Sequence, residues 1–154
     1  MSQVEVGKKV PNWEAESSSG KVSLADFAGK RIVLYFYPKD STPGCTTEAQ
    51  GFKELADEFK ALNTVILGVS RDSLKSHNNF ITKQSLPFTL ISDPEEALCL
   101  LFDVMKMKNM YGKQVRGIER STFLINEQGV LIHEWRKVKV PGHVQSVLNT
   151  IKAL

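Results

Sequence analysis

Arg31-Ile32-Val33-Leu34-Tyr35-Phe36-Tyr37, running directly into Pro38-Lys39-Asp40-Ser41-Thr42-Pro43-Gly44-Cys45-Thr46-Thr47-Glu48, is the stretch on which the fold turns. Its first half is a continuous β-prone run, the pattern of a strand buried on both faces. Its second half carries a helix start: Thr42 suits the cap, Pro43 the first helical position, and Gly44 lets a ligand approach the backbone. Phe52, Leu55, Phe59 and Leu62 then recur at three- and four-residue steps, which predicts a helix with one apolar stripe, ended by Asn63. Cys45 therefore falls in the first turn of a helix that follows a buried strand. Unpaired amides and the positive end of the helix macrodipole both favour a thiolate there. The local chemistry is that of an activated sulfur nucleophile.

The same reading extends in both directions. Ser17-Ser18-Ser19-Gly20 is a turn between two short extended pieces. Thr64 to Ser70 is a second buried strand, Ser73 to Lys83 a helix, and Phe88 to Ser92 a short strand after Pro87. Asp93-Pro94-Glu95-Glu96 carries a cap, a first-turn proline and acidic residues, which predicts a helix starting there. Lys106 to Gly117 is polar and weakly patterned and is expected to be a loop. Ser121 to Ile125 and Val130 to Trp135 flank Asn126-Glu127-Gln128-Gly129 as a hairpin. Pro141 and Gly142 precede a last amphipathic helix bearing Val144, Val147, Leu148 and Ile151. The order β-α-β-α-β-α-β-β-α predicts an α/β fold, a three-layer sandwich of thioredoxin type around a central mixed sheet. The Cys45 turn then lies at the C-terminal end of a central strand, where open α/β sheets place ligands.

At 154 residues the chain is expected to form a single domain spanning residues 1–154. A net charge of +3, with the lysines spread along the chain, argues against nucleic acid as a partner. The apolar runs are too short to span a bilayer, and Met1-Ser2-Gln3-Val4-Glu5 has no hydrophobic signal core, so a cytoplasmic protein is expected, with no membrane association. Two cysteines make no disulfide framework for a chain of this size. His77, His133 and His143 match no metal-ligand spacing and read as ordinary surface or core histidines, so no metal is expected.

Pro38, Thr42 and Cys45 form a Pro-x-x-x-Thr-x-x-Cys pattern that resembles the signature of the peroxiredoxins. The longer run from Tyr37 to Glu48, with Met110-Tyr111-Gly112-Lys113 and Gly117-Ile118-Glu119-Arg120-Ser121-Thr122-Phe123, is similar to the bacterioferritin-comigratory, or peroxiredoxin Q, subgroup. The resemblance implies a thioredoxin-like peroxiredoxin fold and a thiol-dependent peroxidase. It implies that Cys45 attacks a peroxide oxygen and becomes a sulfenic acid, that the Thr42 hydroxyl and the Cys45 amide bind the peroxide, that Arg120 holds the thiolate and polarises the oxygens, and that Pro38 shields the pocket. From the residues alone, Arg120 reads rather as a surface ion pair with a nearby glutamate, and only the intact Glu119-Arg120-Ser121-Thr122-Phe123 run turns the reading to the catalytic role. Glu48 is expected either to steady this network or simply to benefit from the helix N-terminus. Bringing a thiol of ordinary pKa to ~6 raises its thiolate fraction at pH 7 from about 3% to about 90%, a gain of only ~2 kcal/mol. The rest of the acceleration must come from stabilising the departing oxygen.

The pattern departs from the subgroup at one point. Gln50 stands five residues after Cys45, where many members carry a resolving cysteine, and Ser73 to Lys83 contains no cysteine either. The remaining thiol, Cys99, is flanked by leucines in an apolar run, so it is either structural or a resolving thiol that requires local unfolding to reach Cys45. The expectation is a one-cysteine cycle with thioredoxin, glutaredoxin or glutathione as reductant, no cofactor, and a monomer. A disulfide reductase would need a Cys-x-x-Cys pair, which Cys45-Thr46-Thr47-Glu48 lacks. A peroxide sensor or holdase is the remaining alternative.

Overall fold

The computed structural model describes residues 4–154, so Met1, Ser2 and Gln3 lie outside the described residues. The strands are β1 (Glu14–Ser17), β2 (Gly20–Ser23), β3 (Arg31–Phe36), β4 (Thr64–Ser70), β5 (Thr89–Ser92), β6 (Met105–Met110), β7 (Lys113–Ile118), β8 (Ser121–Ile125) and β9 (Leu131–Trp135). The helices are α1 (Pro43–Glu54), α2 (Ala56–Ala61), α3 (Leu74–Gln84), α4 (Ala97–Leu101) and α5 (His143–Lys152), with a 3-10 turn over Leu24–Phe27. One seven-stranded sheet runs in the order β2-β1-β5-β4-β3-β8-β9. Its centre is parallel, β3 with β4 and β4 with β5, whereas β8 and β9 add antiparallel on one side and the β1–β2 hairpin on the other.

The continuous apolar run of β3 is explained by burial on both of its faces. Ile32, Leu34 and Phe36 join a core with Leu98, Cys99, Phe102, Val104 and Ile118. Val33, Tyr35 and Tyr37 join a second core with Cys45, Phe52, Phe59, Phe80 and the apolar face of α5. Each fully buried side chain of this kind contributes about 1.5–3 kcal/mol. The sheet is thus the middle of three layers, and its C-terminal edge at Phe36 delivers the chain into the Cys45 turn.

Three expectations need correction. The helix after Cys45 is broken at Leu55 (φ −102°, ψ 7°) into α1 and α2, although Phe52 and Phe59 still share one core. The helix expected to start at Asp93-Pro94-Glu95-Glu96 begins only at Ala97, because Glu96 adopts a left-handed φ of 65°. Asp93 nonetheless caps it, accepting from the amides of Leu98 (3.2 Å) and Cys99 (2.8 Å). The expected loop over 106–117 is instead the β6–β7 hairpin, turned at Tyr111 and Gly112, both with positive φ. Met107, Met110, Tyr111 and Val115 are exposed, so the hairpin lacks the alternation that reveals a half-buried strand.

Gly68, in β4, has no room for a side chain. A Cβ there meets Leu90 Cδ2 at 2.6 Å and the Tyr35 ring at 3.0 Å, in the fully buried core. Gly117 is the contrast, with only the Lys108 stem near its Cβ position, at 3.8 Å. Gly68→Ala is expected to destabilise by about 1–3 kcal/mol through overpacking, whereas Gly117→Ala is expected to unfold at the parent's temperature. Thermal unfolding followed by circular dichroism distinguishes the two; equal midpoints contradict the account.

Candidate active site

The turn that leaves β3 places Cys45 in the first turn of α1, its side chain buried at 1% exposure. Thr42 is the cap residue by its extended backbone, but its hydroxyl does not cap the helix. It donates instead to the carbonyl of Lys39 (2.8 Å), which corrects the expected role and leaves the oxygen lone pairs as acceptors. The first intrahelical bond is from the Thr46 amide to the Thr42 carbonyl (2.8 Å). The Cys45 amide, one step earlier, has no carbonyl within the helix to donate to. Pro38 is half-buried beside this turn.

Arg120 immediately precedes β8, whose first residue Ser121 stands opposite Phe36 at the end of β3. That register carries the guanidinium to the start of α1. Its Nη1 donates to Glu48 Oε1 (2.6 Å) and its Nη2 to Cys45 Sγ (3.4 Å). The side chains are 16% and 0% exposed, so this is no surface ion pair. Gly44 suits the same contact, since a Cβ there would sit 3.2 Å from Arg120 Nη2 and crowd the guanidinium. The open face expected to admit a ligand is occupied by the arginine.

Burial pushes the Glu48 carboxyl up to about 7, which the Arg120 guanidinium opposes without cancelling. Burial lowers Arg120 in turn, but the charges of Glu48 and Cys45 outweigh it and leave the guanidinium more basic than usual. A 2.6 Å contact is that of a charge-assisted bond, so the pair is ionised above neutrality, and Glu48 is the member that takes up the proton on acidification. Its second oxygen, Oε2, is buried with no hydrogen-bond partner among the described residues. Lys108 of β6 is half-buried nearby; burial lowers its pKa, and the Arg120 charge adds to that.

Sequence reasoning missed several residues around this site. His143 is buried, its Nε2 2.8 Å from Thr122 Oγ1, and burial followed by the Arg120 charge lowers it to about 4. His77 is buried against Asp40, whereas His133 is exposed. Only His77 gathers possible metal-ligating groups among the described residues, with ligand atoms of Asp40 and Asp72 within 4.8 Å, and its Nδ1 is hydrogen-bonded to Asp40. Gln50, at the position of the missing cysteine, donates to Gln84 Oε1 (2.8 Å) and ties α1 to the end of α3. Cys99 is a free, buried thiol in the core on the other face of the sheet from Cys45. Burial and then Asp93 raise its pKa far above the ordinary value.

Glu48 and His143 give opposite pH dependences of stability. Glu48 moves from 4.5 to about 7 on folding, so the native state holds the extra proton between those values and stability falls as pH rises through them. His143 moves from 6.5 to about 4, so the unfolded chain holds the extra proton and stability falls as pH falls from 6.5. Each is worth on the order of 3 kcal/mol and they offset one another. Glu48→Gln removes only the first. Its melting temperature is expected to drop by several degrees between pH 7 and pH 5, against less than half that drop in the parent; parallel pH profiles contradict the assignment.

The AhpC/TSA family matches residues 6–134. Peroxiredoxin Bcp of Xanthomonas campestris pv. campestris is 58% identical over 137 residues, covering 89% of this chain and 86% of its own length. Peroxiredoxin Bcp of Bacillus subtilis is 53% identical over 150 residues, covering 97% and 96%. Among solved structures, peroxiredoxin Q of Xanthomonas campestris superposes with a TM-score of 0.87 at 56% identity, covering 92% of this chain and 90% of that one. A cysteine-to-serine mutant of Xylella fastidiosa PrxQ superposes with a TM-score of 0.93 at 46% identity, covering 99% and 98%. A further structure of the Xanthomonas protein is described in connection with its alkyl peroxide reduction activity. The chain belongs to the AhpC/TSA family, within its peroxiredoxin Q/Bcp branch, and is a thiol-dependent peroxidase with a thioredoxin-like fold.

Proposed function

We propose that Cys45 is the peroxidatic nucleophile, acting on hydrogen peroxide and organic hydroperoxides in a one-cysteine cycle. The observation that carries the reading is the Arg120 guanidinium, held by Glu48 at 2.6 Å and directed at Cys45 Sγ at 3.4 Å. The thiolate attacks the terminal peroxide oxygen, forming an S–O bond as the O–O bond breaks. The sulfur is oxidised to sulfenic acid, and the leaving alkoxide or hydroxide takes a proton from water to give an alcohol or water. The Thr42 hydroxyl and the Cys45 amide bind the peroxide, and Arg120 stabilises the charge that develops on the leaving oxygen. Pro38 limits water at the site, Gly44 makes room for Arg120, and Glu48 positions Arg120.

Resolution by Cys99 is disfavoured by its place across the sheet and by its raised pKa, which keeps it a thiol. An external thiol then attacks the sulfenic acid, releasing water and forming a mixed disulfide, and a second thiol regenerates Cys45. Thioredoxin, glutaredoxin and glutathione are the reductants this chemistry suits. We take the working form as a cytoplasmic monomer, on the strength of the branch it belongs to.

Cys45→Ser is expected to abolish peroxide turnover, and Arg120→Met to lower the rate of peroxide reduction about 100- to 1000-fold. Cys99→Ser is expected to turn over within about twofold of the parent with an external thiol. Stopped-flow peroxide consumption with each reductant measures all three. Intact mass after one equivalent of peroxide checks the cycle: the gain of a single oxygen is expected, and a Cys45–Cys99 disulfide contradicts it.

A further inference from the structure

His77 of α3 is fully buried. Its Nε2 lies 2.8 Å from the Ile91 carbonyl, which only accepts, so that nitrogen carries a proton. Its Nδ1 lies 2.7 Å from Asp40 Oδ2. Asp40 also accepts from Ser76 Oγ (2.8 Å) and from the Tyr37 hydroxyl (2.5 Å). Three groups thus point at one carboxylate, His77, Ser76 and Tyr37, as expected of an ionised acid. Burial pushes the Asp40 carboxyl up, but these bonds more than offset it and hold it below the ordinary carboxylate range. The Asp40 amide is fixed as well, donating to Asp72 Oδ2 (2.8 Å).

This network ends where the proposed peroxide site begins. Asp40 lies between Pro38 and Thr42, and the next residue, Ser41, adopts a left-handed φ of 63° without being a glycine. Such a backbone costs about 1–2 kcal/mol and persists only where its surroundings over-determine it. A buried polar contact of this kind is also a poor source of net stability, because desolvation offsets the attraction, though it does specify one arrangement. Both features fall on the turn that aims Thr42 and Cys45.

We propose that His77 and Asp40 are positioning residues of the peroxidase: their buried contact anchors the turn at 38–42 to α3 and β5, and so sets the Thr42 hydroxyl and Cys45 amide in register with Arg120. The proposal rests on the Cys45 reading above. It predicts that loosening the contact slows the peroxide step far more than the later reduction of the sulfenic acid. Small displacements of reacting groups cost up to about 100-fold.

The test uses the two amides that imitate one imidazole nitrogen each. His77→Asn keeps a donor near the Nδ1 position, toward Asp40, whereas His77→Gln reaches toward Ile91 and gives up the Asp40 bond. The second-order rate of Cys45 oxidation by hydrogen peroxide, read by rapid quench and mass spectrometry, is expected to fall about 10- to 100-fold in His77→Gln and in Asp40→Asn. In His77→Asn it is expected to stay within about fivefold of the parent, and the rate at which thiol reduces preformed sulfenic acid is expected to be unchanged in all three. A purely space-filling role gives the reverse order, since asparagine leaves the larger void. His77→Asn slower than His77→Gln, or folded His77→Gln and Asp40→Asn variants at the parent's rate, overturns the proposal. Where those variants do not fold, Ser76→Ala decides, because it deletes one donor to Asp40 from a half-buried position. A selective loss of about threefold or more in its peroxide step supports the proposal, and no loss overturns it. A Cys45→Ser protein that still consumes peroxide is a separate outcome and removes the Cys45 reading itself.

Discussion

The contact between the Arg120 guanidinium, Glu48 and Cys45 ties the residue that enters β8 to the first two turns of α1. A cation at a helix N-terminus is opposed by the helix macrodipole, and burying it adds a desolvation cost. Glu48 and the sulfur offset both. The antiparallel register of β3 with β8 places Arg120 at the correct edge of the sheet, and Gly44 leaves the guanidinium its space. Arginine suits the position because its fork bonds two partners at once, which a lysine ammonium does in no fixed geometry.

The sheet that builds this contact also separates the two sulfurs. Alternation along β3 sends Tyr35 and Tyr37 toward Cys45, and Leu34 and Phe36 toward Cys99. A disulfide between the two thiols would require taking the sheet's packing apart rather than fraying one helix turn. Gln50, at the position where the resemblance led us to expect a resolving cysteine, bonds to Gln84 and ties α1 to α3. In the proposed cycle oxidation then proceeds on a folded scaffold, and an external thiol completes the second half.

The central β-α units were legible because their signals are local: a double-sided apolar strand, a proline-initiated helix, and a hairpin around Asn126 to Gly129. Cys45, Thr42 and Pro38 share one short motif, and Arg120 was reached through a second. The β6–β7 hairpin was not legible, because exposed strands carry no burial pattern, although Tyr111-Gly112 did hold a turn with two positive φ values. Glu96 and Ser41 adopt left-handed conformations that their residue types do not announce. His77 looked ordinary because its partners, Asp40 and the Ile91 carbonyl, are distant in sequence and meet only through the parallel β3–β4–β5 order.

The claim at the centre of this account is that Glu48 acts on the chemistry only through Arg120. A double-mutant cycle on the rate of Cys45 oxidation by peroxide tests it, using Glu48→Gln, Arg120→Met and the combined variant. The account predicts strong non-additivity, with the double variant no slower than Arg120→Met alone and a coupling of about 1 kcal/mol or more. Effects that simply add would contradict it.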